Sequence, residues 1–184
     1  MGIEFLFGTE VLKILEDENK VQIITQFFQI ETQKLVIATN AFANDLISEV
    51  DLIPVRGQIL LTEPLENLQL KGTFHYDEGY IYFRNLGNRI LLGGARNQDF
   101  ETEETTALET TEFLQNYLEN FLKEVILPNQ EFEISQRWSG IMAMGKEKSP
   151  IVKQISKRQI VAVRLSGMEI KKKKKIGELV GDLL

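Results

Sequence analysis

Between Val55 and Gly94, short strand-like runs rich in apolar residues are separated by turn residues. This pattern strongly favours an antiparallel sheet. It predicts four strands, over residues 57–62, 72–76, 80–84 and 89–93. Asp77-Glu78-Gly79 and Leu86-Gly87-Asn88 have the composition of hairpin turns. Because the connections are short, we expect strands that follow one another in the sequence to pair.

One long helix is expected after this sheet. An acidic, threonine-rich stretch at 101–106 leads into apolar residues at helical spacing over 114–125, so one helix face would pack on the sheet. Pro128 ends the helix because proline cannot continue it. Strands over 132–142 and 159–165 follow, and residues 176–184 predict an amphipathic terminal helix. The predicted fold class is therefore α+β.

The residues before the sheet predict a β-meander and then a change of domain. Strands are expected over 9–15, 21–28 and 34–39, and a short helix over 41–47. Pro54 forces its neighbour Ile53 into an extended conformation, so we place a domain crossing at 51–54. The predicted domains are residues 1–53, 54–149 and 150–184.

The composition excludes several functional classes. The 184 residues are 43% hydrophobic, enough for a buried core, and they contain no cysteine and one histidine. Disulfides, thiol nucleophiles, cysteine ligands and multi-histidine metal sites are thereby excluded. The net charge of −6 disfavours nucleic acid and anionic membranes, and no apolar run is long enough for a membrane span. We expect a cytoplasmic protein without a metal.

A series of short motifs occurs in order along the chain. The final part reads Arg137-Trp138-Ser139-Gly140-Ile141-Met142, then Ser149-Pro150-Ile151-Val152, then Val161-Ala162-Val163-Arg164-Leu165-Ser166-Gly167-Met168. Earlier parts are Leu35 to Ala41, Val55-Arg56-Gly57-Gln58, Asp77 to Arg84 and Gly93-Gly94-Ala95-Arg96. Together these motifs resemble the second half of FAD-dependent oxidoreductases of the D-amino-acid oxidase and glycine oxidase family. The likeness is greatest to a bacterial subgroup whose substrate is not evident from sequence.

The resemblance implies both a fold and an activity. It implies an antiparallel substrate-domain sheet with one long helix at 54–149. The remaining strands and the C-terminal helix of an FAD-binding domain would lie at 1–53 and 150–184. The implied activity is oxidation of a C–N bond in a small-molecule amine or amino acid, with FAD as cofactor. Because the flavin itself takes the hydride, the resemblance implies no catalytic side chain.

The resemblance also implies site residues. Those near the cofactor are Val11, through its main chain, Ala38, Thr39, Asn40, Trp138, Gly140, Gly167, Met168 and Ile170. Those near the substrate are Tyr80, Tyr82 and Arg84, which alternation along one strand places on one face. Met142 stands where many amino-acid oxidases of the family carry an arginine that binds the α-carboxylate, which argues against a simple amino-acid substrate.

Each of these residues also has a purely structural interpretation. Tyr80 and Tyr82 could serve packing alone, and Arg84, like Arg96, could form a surface ion pair. Trp138 could fill the core between sheet and helix instead of lying beside a flavin. His75 has the character of an ordinary strand residue rather than a base.

The nucleotide-binding fingerprint of such an oxidase is missing. The motif G-x-G-x-x-G, which lets the backbone approach a pyrophosphate, does not occur in the sequence. Gly93-Gly94-Ala95-Arg96-Asn97 is interpreted as a turn at a strand end. The chain thus resembles an oxidase that begins midway, so we expect unpaired sheet edges and self-association. The alternative is a non-catalytic remnant or interaction module that does not bind FAD.

Five consecutive lysines, Lys171 to Lys175, stand where the family has small residues against the flavin. A solvated basic first turn of a helix, an error in the sequence and an anion-binding patch are three explanations that stay open. Positive charge at a helix N-terminus opposes the helix dipole.

Overall fold

The computed structural model describes residues 2–48 and 50–184. These residues form two compact units. The terminal unit contains the residues up to Ile53 together with Ala143–Leu184, and the central unit is Pro54–Met142. Among the described residues, no helix has the length and apolar character needed to cross a membrane.

The terminal unit begins with a small antiparallel sheet. Its strands are β1 (Val11–Glu16), β2 (Val21–Thr25) and β3 (Gln29–Thr32), paired in that order. β4 (Leu35–Ile37) follows, and a short 3-10 helix, Asn40–Asp45, occupies the place where a short helix was predicted. The first two strands of the expected meander are confirmed, but the run predicted over 21–28 ends at Thr25, and the third strand of the meander is β3, which was not predicted. The strand predicted over 34–39 corresponds to β4, which belongs to another sheet.

The central unit is built on a five-stranded sheet. Its strands are β5 (Ile53–Thr62), β6 (Thr73–Tyr76), β7 (Ile81–Leu86), β8 (Arg89–Gly94) and β9 (Ile134–Met144). Helix α1 (Glu112–Phe121) continues through a π-helical turn, Leu122–Ile126, as far as Leu127 and then Pro128. The predicted antiparallel sheet and long helix are confirmed.

The order of strands in this sheet corrects one expectation. The order is β6-β7-β8-β5-β9, so β5 pairs with β8 and not with β6, the strand that follows it. Burial explains the difference, because β6 is exposed along its whole length and fits an edge, whereas β5 is mostly buried and needs neighbours on both sides. The ten residues between Thr62 and Thr73 are long enough to cross to the edge.

The main hydrophobic core of the central unit lies between this sheet and α1. Leu114 and Leu118 of α1 are buried against Leu60, Ile90 and Leu92 of the sheet. These α1 residues lie four apart on one helix face, so the apolar spacing seen in the sequence is what places the helix on the sheet.

The terminal unit is completed by the last part of the chain. β10 (Ile151–Gln154) was not predicted, whereas β11 (Gln159–Val163) and helix α2 (Glu169–Leu183) were expected. The sheet order is β10-β11-β4, with β10 and β11 antiparallel and β11 and β4 parallel. Because β4 and β11 are parallel, the loops that follow them leave the same edge of the sheet.

Candidate functional site

The central sheet has one face against α1 and one face turned the other way. We call the second one the tyrosine face and define it by Gly57, Ile59, Tyr82, Gly93 and Met142. Tyr82 and Gly93 are paired across β7 and β8, and Gly93 and Ile59 are paired across β8 and β5. Directly opposed residues in an antiparallel sheet point to the same side. These three residues therefore form one row across the face.

Two glycines form the floor of the tyrosine face. A Cβ atom built on Gly93 would lie 2.9 Å from Cε2 of Tyr82 and 2.9 Å from the carbonyl oxygen of Gln58. A Cβ atom on Gly57 would lie 2.9 Å from Cε of Met142 and 3.7 Å from the Tyr82 hydroxyl oxygen. The Tyr82 ring therefore crosses Gly93, and its hydroxyl group reaches towards Gly57 beside the Met142 methyl group.

The Tyr82 hydroxyl group is suited to hydrogen bonding with a ligand. Burial raises the pKa of the Tyr82 phenol, so this group stays protonated at neutral pH and can donate a hydrogen bond. Within residues 2–48 and 50–184, no side chain or backbone group forms a hydrogen bond with this hydroxyl. The hydroxyl group is therefore held in place by the packing of the ring.

The structure places Arg84 with Tyr82 but separates Tyr80 from them. Arg84 lies two residues after Tyr82 in β7 and is exposed on the same face. Tyr80 lies before the strand in a helical conformation (φ −68°, ψ −26°), so the prediction that alternation aligns it with Tyr82 is wrong. Its ring instead meets Phe100 edge-on at 5.8 Å.

The turn before β7 explains the position of Tyr80. Asp77, Glu78 and Gly79 all have positive φ angles, of 52°, 53° and 92°. They form a short 3-10 turn that Tyr80 closes by donating its backbone N–H to Asp77 O at 2.8 Å. The Tyr80 carbonyl oxygen accepts the N–H of Ala95 at 2.7 Å. Single-sequence alternation cannot detect a left-handed turn at two non-glycine residues.

Trp138 and Gly140 lie on the tyrosine face. Arg137 donates to Gln115 Oε1 of α1 at 2.7 Å and therefore points to the helix side. Ser139 donates to the carbonyl oxygen of Leu108 at 2.6 Å. Alternation along β9 turns Trp138 and Gly140 away from that side. Trp138 is 37% exposed, so the interpretation that it fills the core between sheet and helix is wrong.

Beneath the tyrosine face, β5 carries a buried polar network. Arg56 and Glu103 form an ion pair with their side chains 5% and 1% exposed. Gln58 donates to Glu103 Oε1 at 2.9 Å and to Thr111 Oγ1 at 2.9 Å. The hydrogen bond to Glu103 raises the pKa of Arg56 above its usual value. Glu103 could not be identified from the sequence, because it is one of several acids in a polar stretch.

A second candidate site lies in the terminal unit, where β4 and β11 end side by side. Asn40, three residues after β4, accepts the backbone N–H of Arg164 at 3.0 Å through its side-chain oxygen. The Asn40 side-chain amide donates to Glu169 Oε1 at 3.4 Å. In open α/β sheets, ligands bind at the carboxyl ends of parallel strands. Asn40 thus joins the two loops at such an edge.

The loop after β11 has an unusual backbone. Arg164, Ser166 and Gly167 have φ angles of 60°, 57° and 74°. Such left-handed residues other than glycine are uncommon and cluster at functional sites. The Ser166 hydroxyl oxygen is buried and has no partner among the described residues. Met168 precedes α2 without a side-chain hydrogen bond to cap it, so the first N–H groups of α2 lack intrahelical partners.

The structure therefore brings together most of the predicted cofactor residues of the terminal unit. Ala38, Thr39 and Asn40 follow β4, while Gly167, Met168 and Ile170 follow β11. Ile170 is 81% exposed. Val11 is not part of this group, because it begins β1 and pairs with Thr25 in the other sheet of the unit.

The Arg164 side chain holds the surrounding loops together, a role that the sequence analysis missed. It is 5% exposed, although arginine is rarely buried without partners. Its guanidinium group donates to Ser149 O at 3.0 Å and to Asp51 O at 2.8 Å, and it forms an ion pair with the Asp51 carboxylate. Three distant stretches of sequence are thereby fixed to one another.

The lysine run lies inside α2 and not before it. Lys172 is half-buried and donates to the carbonyl oxygen of Lys148 at 3.4 Å, while the other four lysines are exposed. Lys175 lies 3.6 Å from Glu178 one turn later. The five lysines therefore belong to the first two turns of α2.

Comparison with known proteins supports a common fold. The chain is similar to L-proline dehydrogenase from P. horikoshii (TM-score 0.80, 23% identity) and to glycine oxidase from Geobacillus kaustophilus (0.79, 22%). It is also similar to L-amino acid deaminase from Proteus vulgaris (0.71, 18%). The likeness covers 95%, 95% and 96% of this chain but only 49%, 47% and 45% of those chains. The chain thus spans about half the length of each.

No curated protein matches the chain. The family model DAO, described as FAD dependent oxidoreductase, matches residues 1–181, which is nearly the whole sequence. The motifs from Leu35 to Met168 and the two-unit fold agree with this match. The chain therefore belongs to the DAO family of FAD-dependent oxidoreductases.

Proposed function

We propose that this chain takes part in the FAD-dependent oxidation of a C–N bond in an amine or amino acid. In this proposal the central unit is the substrate domain, and the terminal unit is the remaining part of an FAD-binding domain. The observation that carries the proposal is the Tyr82 hydroxyl group, which packing holds over the glycine floor and which has no hydrogen-bond partner within residues 2–48 and 50–184. The family match supports the reaction type.

The tyrosine face offers both polar and apolar contacts to such a substrate. The Tyr82 hydroxyl and the Arg84 guanidinium group would bind the polar end of the substrate, with Tyr80 as a further candidate from the preceding turn. Met142 carries no charge, so its methyl group beside Gly57 would contact an apolar group of the substrate. The similar solved structures are named for proline, glycine and L-amino acids, which supports a small amine or amino acid as the substrate class.

The terminal unit fits part of the proposed cofactor. The unpartnered Ser166 hydroxyl and the free N–H groups at the start of α2 are donors that suit the acceptor atoms of a flavin ring. We propose that Ala38, Thr39, Asn40, Gly167, Met168 and Ile170 contact the cofactor here. The family resemblance adds Trp138 and Gly140 of the central unit, and Val11 through its main chain, as further proposed cofactor residues. When bound, FAD supplies the hydride acceptor.

The pyrophosphate is not accounted for by this chain. The sequence has no G-x-G-x-x-G motif, and the structure has five lysines in the first two turns of α2. We therefore propose that this chain holds FAD through the contacts to the flavin ring described above. The alternative, a non-catalytic remnant or interaction module without FAD, follows from the same two features.

The experiment that separates these functions is the visible absorption spectrum of the purified chain after FAD is added and the excess removed. We expect a retained flavin spectrum, and loss of it in Gly167→Val, because valine is strained at a φ of 74°. Gly8→Val is the matched control, since Gly8 has a φ of 61° with open space around it in the same unit. A folded wild-type chain that keeps no flavin would favour the non-catalytic alternative.

We also propose that the chain associates with itself and is cytoplasmic. Several large apolar side chains of the terminal unit are exposed, among them Ile3, Phe5, Phe7, Leu12 and Phe27. Exposed apolar surface of this kind favours association. Light scattering should give a mass above that of one chain at high concentration, and the double variant Phe7→Ser with Phe27→Ser should lower it. A constant monomer mass would contradict the proposal.

A further inference from the structure

We infer that Glu103 is a positioning residue for the tyrosine face, because it holds Gly57 from the opposite side of the sheet. The inference rests on the proposed function of that face as the substrate site. Glu103 does not itself reach the face, since its side chain lies buried on the α1 side. It acts through the two residues that flank Gly57 in the sequence.

Both neighbours of Gly57 are bound to the same carboxylate. Arg56 Nε lies 3.2 Å and 3.1 Å from the two carboxylate oxygens of Glu103, and Arg56 Nη2 lies 2.5 Å from Oε1. Gln58 Nε2 lies 2.9 Å from that same oxygen. The backbone N–H of Arg56 also donates to the carbonyl oxygen of Glu103 at 2.8 Å. One residue therefore fixes both side chains and the backbone of this short stretch.

The consequence for Gly57 follows from strand geometry. Arg56 and Gln58 point to the α1 side, so Gly57 between them must point to the tyrosine face. Because Glu103 binds both neighbours of Gly57 on the α1 side, it restricts movement of the Gly57 backbone towards or away from the tyrosine face. The Met142 methyl group and the Tyr82 hydroxyl group lie directly over it. The position of the Gly57 backbone therefore determines where the Met142 methyl group and the Tyr82 hydroxyl group can lie.

The same network reaches the strand that carries Met142. Gln58 Oε1 accepts the side-chain amide of Gln115 at 3.2 Å, and Gln115 Oε1 accepts Arg137 Nη1 at 2.7 Å. Arg137 lies in β9, next to Trp138 and five residues before Met142. Glu103 is thus connected through hydrogen bonds to β5, which carries Gly57, and to β9, which carries Met142.

The test uses the full chain without FAD, so it does not depend on activity. In Glu103→Gln, we expect the pKa of Tyr82 to move down towards its ordinary value of 10.0, since the packing that buries the ring loosens. We also expect the Met142 methyl resonance to shift. Glu104→Gln is the matched control, because Glu104 is an exposed acid in the same stretch. NMR of labelled tyrosine and methionine gives both readouts for the folded state.

A milder variant keeps the test decisive if Glu103→Gln does not fold. Arg56→Lys retains the charge but cannot make the bidentate contact with Glu103. It should therefore shift the Tyr82 pKa and the Met142 resonance in the same direction but by less. Tyr82 and Met142 signals that stay as in the wild type in a folded Glu103→Gln or Arg56→Lys variant would overturn the inference. A wild-type chain that retains no FAD would count against the proposed function. It would not change the expected shifts of the Tyr82 pKa and the Met142 resonance, because these are measured without FAD.

Discussion

The ring of Tyr82 lies against the backbone of Gly93, where a Cβ atom would come within 2.9 Å of Tyr82 Cε2. This close approach is possible because Gly93, in β8 between β7 and β5, has no side chain. Gly93 is itself buried, with Ile59 on its other side. The orientation of the Tyr82 hydroxyl group is therefore set by a glycine on the strand next to that of Gly57.

The first prediction concerns this glycine. Gly93→Ala should lower the free energy of unfolding by about 1–3 kcal/mol, because the new methyl group meets a backbone carbonyl oxygen as well as two side chains. Gly140→Ala is the control, since a Cβ there has no atom within 4 Å, and its effect should be within about 0.5 kcal/mol. Urea denaturation measures both. Equal losses would show that Gly93 is not tightly enclosed.

The second prediction concerns the pH dependence that Tyr82 causes. Burial raises its folded-state pKa above the ordinary value of 10.0, so the folded state retains this proton longer than the unfolded state does. The stability linked to Tyr82 is therefore complete below the unfolded pKa and is lost as the pH rises through the folded pKa. Denaturation of the wild type and Tyr82→Phe across that alkaline range should show a steeper decline for the wild type. Parallel declines would contradict the prediction.

The third prediction concerns the buried guanidinium group of Arg164. Arg164→Met should lower the free energy of unfolding by about 2–3 kcal/mol, because the carbonyl oxygens of Asp51 and Ser149 lose a charged donor. Lys173→Met, an exposed change of the same chemical kind in α2, should alter it by about 0.5 kcal/mol or less. Thermal and urea denaturation provide the comparison. A small effect at Arg164 would mean that water replaces its contacts.

The fourth prediction concerns the connection between β1 and the turn before β11. The hydrogen bond from Ser156 lowers the pKa of Glu16, and a second one from Gln159 adds to the effect. The stability linked to Glu16 is present above its unfolded pKa and is lost as the pH falls through the lower folded pKa. Ser156→Ala should therefore raise the Glu16 pKa towards the ordinary 4.5, as measured by carboxyl NMR. An unchanged titration would show that Ser156 does not bind Glu16 in solution.

Much of the secondary structure could be predicted because it depends on local patterns. The two-residue alternation within β7 and β8 and the helical spacing of α1 are visible in any window of the sequence. β10 was missed because Ile151–Gln154 is short and follows a proline. The pairing of β5 with β8 could not be predicted from loop length, since it depends on which strand needs burial on both sides.

The candidate site was predicted less completely than the fold. The family resemblance assigned Tyr82 and Arg84 to the substrate and Trp138 and Gly140 to the cofactor, whereas the structure places all four on the tyrosine face. The position of Tyr80 was wrong because a left-handed turn ends just before β7. The roles of Gly57 and Gly93 depend on which side chains cross them, and those side chains lie on other strands.

The sequence by itself determined most of the strands, the long helix and the family, and it excluded sites that require cysteine or several histidines. These properties follow from local periodicity, ordered motifs and composition. Only the tertiary structure decided that Glu103, and not its neighbours Glu101 or Glu104, is buried under β5, and that Arg164 joins three loops. The physical reason is that burial and pairing depend on residues distant in sequence, and the chain must fold before they meet.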